Sequence, residues 1–128
     1  MEEHATAAEW LAEGNAAVEE KRYNDALAAY EHAIAREPEN AEAWRLKAIA
    51  LDDLKRPSEA LAAADHALAL RPDDPDILNT RGCMFLSLDR RDEALADFDR
   101  ALALDPDHFK ALWNRAGLSH TLERYEMA

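Results

Sequence analysis

Cysteine occurs once in these 128 residues, at Cys83, so no disulfide can form within the chain and packing alone must hold it. A lone thiol also suits the cytoplasm, which is the expected compartment. Three glycines and five prolines leave little material for long loops, and aromatics at 7% are too few for a core of large rings. No run approaches the ~20 apolar residues of a membrane span. The opening Met1-Glu2-Glu3-His4 is acidic, where a secretory signal is basic and then apolar. Basic residues are in deficit too: 15 Lys and Arg face 27 Asp and Glu, a formal charge of −12. Such a surface repels phosphate backbones and anionic lipid heads, which argues against nucleic-acid and membrane partners and for a basic or neutral protein.

What is present is small and repetitive. Hydrophobic residues reach 48%, supplied mostly by alanine and leucine, which suits close-packed helices better than a sheet. Pro38, Pro72 and Pro106 stand 34 residues apart. So do Asp25-Ala26-Leu27, Glu59-Ala60-Leu61 and Glu93-Ala94-Leu95 upstream of them. A fixed period of this length marks a repeat array. The units run 7–40, 41–74 and 75–108, after a lead-in at 1–6 and before a truncated unit at 109–128.

Each unit reads as two helices. Thr6 and Glu9 have the spacing of a capping box, and Asn40 and Asp74 can cap the next two units, the latter with Pro75 at the first helical position. Polar turns such as Glu20-Lys21-Arg22 and Asp89-Arg90-Arg91 separate the helices, and Pro57 belongs in the first turn of the fourth. Ala26, Ala60 and Ala94 recur at one place, and Ala33, Ala67 and Ala101 at another, which lets neighbouring helices approach to roughly 8–10 Å. Tyr30 and Phe98 fill a third place, which Ala64 leaves less filled in the second unit.

These residues resemble the tetratricopeptide repeat pattern, a Trp–Leu–Gly–Tyr run followed by Ala, Phe and Pro. The first unit matches at Trp10, Gly14, Ala26, Tyr30, Ala33 and Pro38, and the second at Trp44, Ala60, Ala67 and Pro72. The third matches at Gly82, Phe85, Ala94, Phe98, Ala101 and Pro106. The resemblance implies an all-α, right-handed superhelical solenoid of antiparallel helix pairs: three full units and a further helix. It also implies a non-catalytic scaffold or adaptor that holds a peptide or helix of a partner in a concave groove lined by the first helices.

Under that geometry the groove receives Leu11, Asn15, Val18 and Glu19 from the first unit, and Glu42, Arg45, Ile49, Asp52 and Asp53 from the second. The third unit gives Asp76, Asn79, Cys83, Leu86 and Ser87, and the last helix Lys110, Trp113, Gly117 and His120. Apolar anchors amid an acidic excess suit a ligand with a hydrophobic anchor and some Lys or Arg. The carboxylates equally suit an ordinary solvated face. Leu112 takes the packing place of Trp10, Trp44 and Leu78, so its neighbour Trp113 is expected to be exposed, either as a binding anchor or against a missing helix. Family members that clamp the terminal carboxylate of heat-shock chaperones use Lys, Asn and Arg at fixed places. Here those places hold Leu11, Asn15, Leu46, Asp76 and Thr80, of which only Asn15 matches. One unit later they hold Arg45, Ile49, Thr80, Lys110 and Asn114, without the asparagines. A chaperone clamp is therefore not expected.

Catalysis, a cofactor and a metal find no support. His32 and His66, expected on the convex side, lack a ligand set; Cys83 has no histidine at motif spacing; and no glycine-rich phosphate loop occurs. Basic turns (Lys21-Arg22, Lys55-Arg56, Arg90-Arg91, Arg124) and acidic joints (Glu37, Glu39, Asp73, Asp74, Asp76, Asp105, Asp107) give the array two charged edges, which suit helix dipoles or edge-to-edge pairing. Arg124-Tyr125-Glu126-Met127-Ala128 resembles the start of a second helix, so a fragment of a longer array is expected. Apolar residues at 109–128 also suit self-association. The alternatives to a groove scaffold are thus a self-assembling array and the recruitment region of a larger enzyme.

Overall fold

The computed structural model describes residues 5–127, with side chains through residue 120. Seven helices follow one another: α1 (Ala7–Glu19), α2 (Tyr23–Arg36), α3 (Ala41–Asp53), α4 (Pro57–Leu70), α5 (Pro75–Ser87), α6 (Arg91–Leu104) and α7 (Phe109–Met127). Among the described residues there is no strand. The starts of the first helices are fixed by side chains. Thr6 and Glu9 form the reciprocal capping box, Asn40 accepts from the Ala43 N–H at 3.2 Å, and Asp74 accepts from the N–H groups of Asp76 and Ile77. His108 does the same for α7, its Nδ1 accepting from the Ala111 N–H at 3.1 Å. Its Nε2, 2.6 Å from Asp76, must then carry the ring proton.

Within each pair the turn is a Schellman stop. The N–H of Arg22 reaches the Ala17 carbonyl, Arg56 reaches Leu51 and Arg90 reaches Phe85, at 2.8–2.9 Å. The preceding residue must adopt positive φ, and here it is Lys21 (61°), Lys55 (64°) and Asp89 (60°) rather than glycine. The glycines serve elsewhere. A Cβ on Gly82 would sit 2.5 Å from the Phe98 ring, and one on Gly14 would meet Tyr30 closer still. The ring of the second helix therefore lies on bare backbone of the first. In the middle pair Ala48 replaces the glycine and Ala64 replaces the ring, both fully buried in one core cluster with Leu51 and Met84. The methyl groups of Ala48 and Ala64 thus stand where the other pairs set a ring on glycine.

Successive pairs are joined by a recurring ion pair. Lys47 of α3 meets Glu31 of α2 at 3.4 Å, Arg81 of α5 meets Asp65 of α4 at 3.1 Å, and Arg115 of α7 meets Asp99 of α6. Each reaches from a first helix to the second helix before it. The basic turns are locally neutralised: Arg22 by Glu20 and Asp25, Arg56 by Glu59, Arg90 by Glu93 and Arg91 by Asp89. The helix expected to start near Arg124 does not form separately, because α7 runs unbroken to Met127. Among the described residues no second helix packs on α7, and continuing the helix pairs each further backbone N–H with a carbonyl. The side chains of Leu122, Arg124, Tyr125 and Met127 lie outside the described residues.

Two stability outcomes follow. Gly82→Ala should cost about 1–3 kcal/mol by overpacking against Phe98. In the background Phe98→Ala the same change should cost almost nothing, since it recreates the Ala48–Ala64 pair. A urea-denaturation double-mutant cycle measures this coupling, and additive effects would refute it. Lys55→Gly should raise stability by about 0.5–1 kcal/mol, because relief of left-handed strain exceeds the added freedom of the unfolded chain. A lower urea midpoint for that variant would count against the turn geometry.

Candidate functional site

Three of the first helices, α3, α5 and α7, come together on one side of the array. α3 packs on α5 and α5 on α7, whereas α2, α4 and α6 make no contact of that extent with one another. The side on which α3, α5 and α7 meet is called the inner face here, and the side of the second helices the outer one. His32 and His66 lie on the outer helices, exposed but stacked on Trp10 and Trp44 at ring separations of 4.3 and 3.8 Å. Among the described residues no group of His, Cys, Asp and Glu could hold a metal ion, and no helix is long and apolar enough to cross a membrane.

A line of polar contacts runs along the inner face. The Tyr30 hydroxyl, reaching through from α2, donates to Asn15 Oδ1 at 2.7 Å. Arg45 grips Glu42 through two nitrogens at 2.7 and 2.8 Å, and its third touches Thr80 Oγ1 at 3.5 Å. Thr80 donates to the Asp76 carbonyl, and the Asp76 carboxylate meets His108. Asn114 of α7 donates to Asn79 at 2.9 Å and lies 3.5 Å from Cys83 Sγ. Burial pushes the Tyr30 phenol up to about 12, opposed by Arg45 and assisted by Glu42 and Asp53. The hydrogen bonds to Glu42 raise the pKa of Arg45. Burial raises the Cys83 thiol and nearby Asp52 adds to it, against Lys110. Asp53 is likewise raised, by burial and by its neighbour Asp52. A thiol held protonated in this way is a poor nucleophile.

The residues expected in the groove divide into three groups. Leu11 and Leu86 are half-buried and packed into core clusters, and Asn79 is buried under Asn114. Asn15, Glu42, Arg45, Asp76 and Cys83 face one another along the polar line but already have partners. Glu19, Asp53, Lys110 and Trp113 are exposed, and Ile49 and Asp52 are half-buried. Trp113 is 72% exposed and stacks on Phe109. Leu112 departs from its expected place in the core: it is 46% exposed, because no second helix covers it among the described residues. The Tyr30 hydroxyl, Thr80 and Asn114 complete the polar line without standing in the groove set. Their signal was the spacing of 34 that aligns Thr80 with Asn114. Tyr30 read as filler because its ring is core and only its hydroxyl surfaces.

Models of the family described as tetratricopeptide repeat match residues 3–75 and 75–108. No curated protein matches the chain. Solved structures do. The first TPR of Spaghetti (RPAP3), bound to the HSP90 peptide SRMEEVD, is 26% identical over 91% of this chain and 93% of its own, with a TM-score of 0.84. The Arabidopsis OM64 TPR domain is 29% identical over 90% and 95%, with a TM-score of 0.84. The second TPR domain of human RPAP3, in complex with the HSP70 peptide SGPTIEEVD, is 25% identical over 88% and 94%, with a TM-score of 0.81.

The raised Tyr30 phenol makes alkaline stability a test of the polar line. A folded-state pKa of about 12 above an ordinary value of 10 leaves this stability intact below pH 10 and removes it as pH rises to 12. Denaturation of the native chain should weaken across that window more than that of Tyr30→Phe, which has no phenol to ionise. Parallel decline of the two proteins would show that the phenol is not held as described.

Proposed function

The chain belongs to the tetratricopeptide repeat family, and on that premise we propose that it is a non-catalytic interaction module holding an extended or helical protein segment against its inner face. The observation that carries this reading is the face itself: first helices brought side by side, with Ile49, Cys83 and Trp113 set among polar groups that reach across helices. The structural neighbours bound to HSP90 and HSP70 peptides support it as similar folds of similar length. A non-catalytic role is supported by the engagement of Arg45 with Glu42 and of Asp76 with His108, and by the raised, protonated Cys83 thiol.

The ligand differs in charge from those peptides. Glu19, Asp52, Asp53 and Asp76 look onto the face, while Arg45 is occupied by Glu42 and Lys110 stands at one end. A segment with an apolar anchor and Lys or Arg fits this field, and an acidic tail is repelled by it.

Fluorescence titration with SRMEEVD and with a charge-reversed version, lysine replacing each acidic residue, tests both parts. The reversed peptide should bind at least about tenfold more tightly, and less so at high salt. Binding should be lost in Ile49→Asp, Asp52→Lys of unchanged helicity. Tighter binding of SRMEEVD would overturn the charge assignment, and binding indifferent to the double substitution would overturn the face.

A further inference from the structure

The second and third pairs share a framework of charges but differ in what lies inside it. In the third pair Phe85 has the guanidinium of Arg81 at 5.3 Å and that of Arg90 at 4.8 Å from its ring centre. The Asp97 carboxylate closes on Arg81 through two bonds of 2.8 Å. Each arginine keeps a further carboxylate while doing so, Arg81 that of Asp65 and Arg90 that of Glu93.

At the spacing of 34, Lys47 stands for Arg81 and Arg56 for Arg90, and their ion pairs with Glu31 and Glu59 are retained. Leu51 stands for Phe85 and Ala63 for Asp97, so the ring and the carboxylate are both gone. What they leave is a pocket of about 410 Å³ between α3 and α4, lined by these residues together with Trp44 and His66. Small-molecule sites occupy roughly 300–1,000 Å³. Leu51 and Ala63, 3% and 4% exposed, are its apolar floor. Trp44 is an aromatic wall, stacked on His66 at 3.8 Å and with Lys47 Nζ 5.1 Å from its ring centre.

Two properties select the occupant. Lys47 and Arg56 hold the places from which Arg81 and Arg90 face a ring, here beside a leucine and open space, so a ring gains cation–π contact there. Lys47 also has donors to spare: an ammonium carries three N–H groups, and the carboxylate it meets among the described residues is Glu31, at 3.4 Å. The third pair shows that a cation at this place takes a second carboxylate without releasing the first. The first pair has a smaller pocket of about 340 Å³ at the same place, but Glu13 stands there for Lys47 and repels an anion.

We propose that the pocket between α3 and α4 binds a small aromatic carboxylate, its ring against Leu51 and Trp44 and its carboxylate on Lys47 Nζ. The residues that form it are not those of the inner face, and the site does not depend on the function proposed for that face.

The probe is phenylpropionate, titrated into the isotope-labelled whole chain while the tryptophan indole N–H signals are followed by NMR. The Trp44 indole, held on the Pro38 carbonyl at 2.9 Å, should shift saturably, and that of Trp10 should not. Phenylpropionamide, which has the shape without the charge, should bind at least about tenfold more weakly. Lys47→Gln should bring the acid down to the level of the amide. Leu51→Phe with Ala63→Asp rebuilds the filling of the third pair and should abolish binding. Ala63→Asp alone, which costs less in packing, should weaken the acid by about tenfold or more. Circular dichroism verifies that each variant stays helical. No saturable shift at Trp44, equal binding of acid and amide, or binding unaltered by Ala63→Asp would each overturn the proposal. So would a Trp10 shift as large as that of Trp44, since the pocket of the first pair lacks the cation.

Discussion

Everything in this array follows from how closely a second helix can lie on a first. The contact is set where the Tyr30 or Phe98 ring rests on glycine backbone, flanked by fully buried alanines at Ala26 and Ala33 or Ala94 and Ala101. Larger side chains there would part the helices and lose dispersion along their whole length. Because the spacing is short, the first helices of neighbouring pairs also come within reach of each other, and only then can Arg45 touch Thr80 or Asn114 touch Asn79. The inner face is thus a consequence of alanine and glycine placed elsewhere.

The pairs also need a fixed rotation relative to one another, and apolar contacts between alanines are too uniform to specify one. The ion pairs Lys47–Glu31, Arg81–Asp65 and Arg115–Asp99 supply it, one per joint. Pairs whose carboxylates are exposed in this way add roughly 0–1 kcal/mol each, so their contribution lies in register more than in strength. The corresponding place in α1 is Glu13, which would repel a carboxylate presented from a helix before it. Stacking of α1 onto another copy's second helix is disfavoured on that ground.

Much of this was legible in the sequence because the fold is periodic. The spacing of 34 gave the helices, the caps at Thr6, Asn40 and Asp74 gave their starts, and the alanine columns gave the seams. The left-handed turns were not legible, since Lys21, Lys55 and Asp89 lack the glycine that normally marks them. Nor was the ladder of ion pairs, since a lysine and an arginine 34 residues apart read as ordinary surface until the second-helix carboxylates face them. The continuous α7 was missed because its sequence resembles Arg22-Tyr23-Asn24-Asp25-Ala26, while the partner that would make the turn worthwhile is a tertiary matter. At the candidate site, one-helix reasoning could place Leu11, Asn79 and Leu86 on the inner side but not show what covers them.

Net charge says little about a ligand until the charges engaged by the fold are set aside. Nearly every arginine described here is held by a carboxylate: Arg22, Arg45, Arg56, Arg71, Arg81, Arg90, Arg100 and Arg115 all have one. Many carboxylates, such as Glu9, Asp25, Glu42, Glu59 and Asp76, also sit in first turns, where the helix dipole favours them. These charges are accounted for by helix ends and joints. What an approaching segment meets is the remainder, and since the cations are engaged first, the remainder is negative. The field on the inner face therefore comes from a surplus that the fold leaves unpaired, and Asp52 and Asp53, lying near the half-buried Cys83 and the buried Tyr30, carry it closest to the apolar groups. A cationic segment with an apolar anchor would relieve the repulsion between those two carboxylates as it binds, which couples the charge preference to the anchor instead of leaving them independent.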